Sequence, residues 1–128
     1  MVPDNFKILI DKLKEKTTKK EAIWSKTSRD NEFKLDLGRG AITVDRWKNE
    51  HGEGLVDISI MNEHGDQIDY TRFHESERDD YNYLIELHSL AKRAYYKVDE
   101  TFKTIFEELD SGRIIGTDEK YNDFPISI

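Results

Sequence analysis

The stretch YNYLIELHSLAKRAYYKVDETFKTIFEEL, Tyr81 to Leu109, contains no glycine and no proline, and one apolar seam runs through all of it. Leu84, Leu87, Ala91, Ala94, Val98, Phe102, Ile105 and Leu109 recur at spacings of three and four residues. Such spacing stacks side chains on one face of a helix, so the sequence predicts one uninterrupted helix of about 30 residues, about 45 Å long at 1.5 Å per residue. A single domain of 128 residues has a radius of gyration of only about 14 Å, and a strand of six or seven residues covers roughly 20–23 Å. The sheet can therefore cover only about half of this helix, and the other half still carries an apolar face.

Three arrangements relieve that mismatch. The first helix packs along the uncovered portion, a second copy of the chain covers Phe102, Ile105, Phe106 and Leu109, or the helix breaks between Lys97 and Thr101 with Asp99 capping a new one. The expectation is that the first helix and the long helix share one sheet face, and that the C-terminal end of the long helix forms a homodimer interface from Phe102, Ile105, Phe106 and Leu109.

Upstream, Pro3 and Asp4 suit the first turn of a helix, and Phe6, Leu9, Ile10 and Leu13 fall at i, i+3, i+4 and i+7, which places a helix from about residue 3 to about residue 20. AIWSKTSRDN then reads as a polar connector anchored by Trp24. From Phe33 the apolar period becomes two. Phe33 to Leu37, Ile42 to Val44, Leu55 to Met61 and Gln67 to Phe73 are four strands, and the short glycine-bearing turns between them require antiparallel pairing. The Gly38-Arg39-Gly40 turn leads into a strand rather than a helix, so it reads as a hairpin and not as a phosphate cradle. Ser76 reads as the N-cap of the last helix. The fold class is α+β: an N-terminal helix, a four-stranded antiparallel meander and a long C-terminal helix on one sheet face. Residues 1–112 form the domain and residues 113–128 a C-terminal tail.

The same alternation gives the sheet a polar face, read as carrying Asp45, Asp57, Ser59, Asp69 and Thr71. Asp57 and Asp69, on adjacent strands, are the least arbitrary carboxylate pair in a chain with 27 acids. Asp45, Asp57 and Asp69 are the candidate partner-binding residues.

Charge and composition narrow the remaining chemistry. Net charge is −7, yet residues 1–29 hold 8 Lys/Arg against 4 Asp/Glu, so most of the molecule, residues 30–128, should repel nucleic acid and only the first helix and its exit could offer a basic patch. No cysteine is present, which removes thiolate catalysis and cysteine-ligated metals and fits a reducing, cytoplasmic setting. No run of about 18 apolar residues suggests a membrane span. His51, His64, His74 and His88 lack the spacing to ligate one metal from a single helix, and no serine sits in a nucleophile elbow. No catalytic, cofactor-binding or metal-binding residues are assigned, and no cofactor is expected.

The segments AIWSKTSRDNEFKLDL, VDISIMNEHGDQID and LHSLAKRAYYKVDETFKTIFEEL together resemble a group of small uncharacterised bacterial proteins, with a tryptophan connector, a meander and a long closing helix over roughly residues 20–110. The resemblance implies a fold and supplies no activity. The expected function is a non-enzymatic protein-interaction module, an acidic homodimeric adaptor or inhibitor of a basic protein partner, because complementary charge steers such encounters. The alternative is a small-molecule sensor or minor enzyme with a pocket between Trp24, the sheet and the long helix.

Overall fold

A computed structural model describes residues 1–117 of the chain. It is α+β, with α1 (Asp4–Thr18), β1 (Ser25–Lys26), β2 (Glu32–Leu37), β3 (Gly40–Lys48), β4 (Gly54–Asn62), β5 (Gln67–His74), α2 (Arg78–Tyr96) and α3 (Val98–Leu109) in chain order. The chain divides into two compact units, Met1–Lys97 and the segment from Val98 onward. Of the expected tail, residues 118–128 lie outside the described residues.

In the first unit all five strands pair antiparallel in the order β1-β2-β3-β4-β5. The sequence reading of four strands is corrected to five. Ser25 and Lys26, read as connector, pair with Lys34 and Phe33 as a two-residue edge strand, too short to carry a period-two signal. One face of the sheet bears the apolar residues of β2 to β5, and these merge with one stripe of each helix into a single core. Phe6, Ile10 and Leu13 of α1, Phe33, Val44, Val56, Ile58 and Phe73 of the sheet, and Leu84, Leu87 and Ala91 of α2 all belong to it. Phe33, Ile10, Ile58, Leu84, Leu87, Val44 and Val56 are fully enclosed, each worth about 1.5–3 kcal/mol relative to an exposed side chain.

Trp24 closes the core beneath the end of α1. It is 4% exposed, and its indole N–H donates to Thr17 Oγ1 at 3.0 Å while that hydroxyl donates to the Leu13 carbonyl at 2.7 Å. α1 lies along α2, and polar contacts mark their shared rim: Tyr83 Oη donates to Asp11, Lys14 Nζ lies 3.0 Å from Glu86, and the same ammonium stands 3.8 Å from the Tyr83 ring centroid.

The uninterrupted helix is the second correction. Lys97 adopts φ 52° and ψ 48°, a left-handed residue that ends α2 and precedes α3. α2 has 19 residues and rises about 28 Å, while β3 and β4 have nine residues each and run about 30 Å. The last turn of α2 stands over β2, with the Tyr95 and Tyr96 ring centroids 5.6 Å and 6.2 Å from that of Phe33. No glycine or proline announces the break; Asp99 and Glu100 follow in the first turn of α3, where carboxylates favour the positive end of a helix dipole. At the other end, α2 begins at Arg78 after Glu77 rather than with Ser76 as cap, and Glu77 Oε1 accepts from the His74 backbone N–H at 3.0 Å.

Candidate functional site

The sheet face opposite the helices carries small polar residues on its central strands and long charged ones around them. Cross-strand register sets the row: Glu32 opposes Asp45, Asp45 opposes Asp57, and Asp57 opposes Arg72. Opposed residues share a face with Cβ atoms about 4.5–5.5 Å apart, so Asp45 and Asp57 are neighbouring carboxylates. Both are buried, at 3% and 7% exposure.

Two arginines compensate that charge from the rim. Arg29 Nε lies 2.9 Å from Asp45 Oδ2, and Arg72 Nε lies 3.2 Å from Asp57 Oδ2. Asp57 Oδ2 also accepts the Trp47 indole N–H at 2.9 Å, and the Arg72 guanidinium sits 5.3 Å from the Trp47 ring and 5.2 Å from the Tyr70 ring. Burial pushes the Asp45 carboxyl up to about 6 against the pull of Arg29, with the negative charges of Asp57 and Glu32 adding to the rise. A hollow of about 210 Å³ remains among Arg29, Asp45, Trp47, Asp57, Ser59 and Arg72.

Asp69 does not join this row. It opposes Ile60, on the helix-bearing face, and is exposed there with its carboxylate accepting the Tyr70 N–H at 2.8 Å. The cause is a β-bulge: Met61 opposes Gln67, but Ile60 opposes Asp69, so Ile68 is an extra residue. One inserted residue moves every later side chain to the other face. Thr71, opposite Ile58, is turned with it, and Arg72 takes the place beside Asp57. Asp45 and Asp57 are therefore brought together, and the expected pairing of Asp57 with Asp69 is replaced by Asp57 with Arg72.

Of the histidines, His88 is 2% exposed and its Nε2 lies 2.7 Å from the Asn31 carbonyl oxygen. That carbonyl can only accept, so Nε2 carries the proton; burial holds the ring's pKa below the usual histidine value. His74 Nδ1 lies 3.8 Å from Glu53, and His51 and His64 are exposed in turns. Among the described residues no three His, Asp or Glu side chains group to hold a metal ion, and no helix is long and apolar enough to cross a membrane.

In the second unit, α3 displays Phe102, Ile105, Phe106 and Leu109 at 50%, 44%, 56% and 55% exposure. They lie at i, i+3, i+4 and i+7, and the Phe102 and Phe106 ring centroids are 5.8 Å apart, so they form one continuous apolar stripe. Contiguous exposed apolar patches often mark functional surfaces.

No family model, curated protein or solved structure matches the chain.

Proposed function

We propose that the chain is a non-enzymatic protein-interaction module that associates through α3, and that the stripe Phe102, Ile105, Phe106, Leu109 is covered by a second copy of the chain. The exposed stripe carries this reading. A helix of 12 residues is marginal alone in water, and a straight apolar stripe on it is self-complementary when two copies meet across a two-fold axis. Mutual burial then supplies the covering that the seam's spacing calls for.

A second reading is favoured by the charge around the stripe. Asp99, Glu100, Glu107 and Glu108 stand against Lys103 alone on the twelve residues of α3, an acidic setting suited to a basic protein partner. Salt separates the two. A homodimer brings like charges together and tightens as salt screens them, whereas a complex with a basic partner weakens.

The test is molar mass by light scattering after size exclusion, across micromolar concentrations at low and high salt, for the parent and for Phe102→Glu/Ile105→Glu. The parent is expected at twice the 15.1 kDa chain mass, with more dimer at high salt, and the double variant as a folded monomer by circular dichroism. A parent that stays monomeric at every concentration and salt overturns the homodimer.

A further inference from the structure

On a chain of net charge −7, one cleft runs against the overall sign. It lies where the end of β3 and the start of β4 face α2, and encloses about 670 Å³. Arg46 and Lys48 of β3 and Lys92 and Arg93 of α2 line it, with Glu75 the single acid. Arg46 opposes Val56 and Lys48 opposes Gly54 in the ladder, which places both cations on the helix-bearing side of the sheet. Among the described residues no carboxylate pairs with Arg46 or Lys48.

The floor is built from buried groups. His88 and Tyr81 are 2% and 9% exposed. The Asn31 carbonyl fixes the imidazole through Nε2 and accepts the Arg46 backbone N–H at 3.3 Å, so one peptide oxygen ties the α2 wall to the β3 wall. At the far end Gly54 leaves room: a Cβ there would stand 2.8 Å from Tyr81 Oη and 3.2 Å from Glu75 Oε2. The positive charges of Arg46 and Lys92 both reach the imidazole, each opposing its protonation. Side chains from two different elements thus direct their fields at one point.

We infer that this cleft is a binding site for a small ligand bearing two or more linked phosphate groups, a nucleoside diphosphate or inorganic pyrophosphate, held by Arg46 and Lys48 on one side and Lys92 on the other. A guanidinium offers a planar donor fork and the lysines point charges, the combination that phosphate oxygens take. The volume is within the 300–1,000 Å³ range of small-molecule sites and exceeds what one phosphate fills. Cations on both walls match an anion with charge at two positions. A compact ligand is favoured over a nucleic-acid strand because the chain outside residues 1–29 carries a large excess of Asp/Glu over Lys/Arg, and a long polyanion leaving the cleft across it would meet repulsion. The site is independent of α3.

The test measures thermal stabilisation and calorimetric binding of ADP, pyrophosphate, inorganic phosphate and a twelve-nucleotide single-stranded DNA. The proteins are the parent, Lys92→Glu, Arg46→Gln and the surface control Lys12→Glu. Millimolar ADP or pyrophosphate is expected to raise the melting temperature of the parent and of Lys12→Glu by several degrees. Binding should fall at least tenfold in Lys92→Glu and Arg46→Gln, whose folding is checked by circular dichroism. The His88 imidazole resonances should also titrate at higher pH once ligand is bound, because an anion offsets the two cations beside the ring. Pyrophosphate binding as well as ADP supports the inference and puts recognition in the phosphates; tighter binding of ADP supports it and adds a contact to the nucleoside. Inorganic phosphate binding as tightly as either, DNA binding more tightly than ADP, undiminished binding in Lys92→Glu, or no binding of any probe overturns it.

Discussion

Replacing Asp45 by asparagine should stabilise the protein at neutral pH, although it removes an ion pair. The side chain is 4% exposed and faces Asp57 across the ladder, and burial with two like charges outweighs Arg29 to raise its carboxyl from 3.8 to about 6. A folded-state value above the unfolded one means that the folded protein binds the proton more tightly. The associated stability is fully present below about pH 4 and is lost as pH rises through 6. A rise of that size corresponds to an upper figure of about 3 kcal/mol at pH 7.5; Arg29 is 58% exposed and water reaches that end of the pair, so about 1–3 kcal/mol is the expected range. Asp45→Asn keeps the shape, removes the charge and leaves Arg29 free to turn to solvent. Urea denaturation followed by circular dichroism between pH 4 and pH 8 should show the variant more stable by about 1–3 kcal/mol at pH 7.5. The gap should halve near pH 5 and close below about pH 4, as the parent regains its proton. A variant less stable than the parent at pH 7.5, or two parallel pH profiles, would refute the reasoning and show that the Arg29 pair outweighs the desolvation of the carboxylate.

Two further outcomes follow from the backbone. Lys97, at φ 52°, should accept glycine with a gain of about 0.5–1 kcal/mol, since glycine carries no left-handed penalty at a helix C-terminus. Lys97→Val should cost about 1 kcal/mol or more, and denaturant midpoints that order these variants the other way would remove strain at Lys97 as a factor. Gly54→Ala should cost about 1–3 kcal/mol through overpacking against Tyr81 Oη. Tyr81→Phe in that background should restore part of the loss in thermal melts, and its failure to do so would place the strain elsewhere.

Much of the architecture is written in periodicities that need no tertiary information. Phe6, Ile10 and Leu13 announce α1, and the alternation from Phe33 onward announces the four main strands, because those side chains meet the core through backbone geometry alone. What escapes the sequence is discrete and local. The two residues of β1 are too few to show a period. The left-handed turn falls at a lysine in an unbroken apolar seam, where no glycine or proline marks a stop. The candidate site fails to be legible for a related reason. Asp45 and Asp57 are drawn together by a β3–β4 ladder that keeps parity, while Asp69 is turned away by one extra residue in β5, for which the sequence carries no turn or glycine signal. The 670 Å³ cleft combines Arg46 and Lys48 with Lys92, residues more than 40 positions apart in sequence, and only the docking of α2 on the sheet puts them on facing walls.

The two ends of the sheet also govern how the molecule can aggregate. A long flat edge strand exposes a row of free peptide groups on which another chain can grow, and repetition of that step makes a fibre. Here one border is the two-residue β1, which covers Phe33 and Lys34 and leaves residues 35–37 of β2 as a short stretch of margin. The other is β5, distorted by its bulge beside Ile68 and carrying Asp69 and Arg72, which break the flatness and charge the margin. Peptide-edge growth is thus restricted at both borders, and a two-fold contact between side-chain surfaces, unlike an open edge, closes at two subunits.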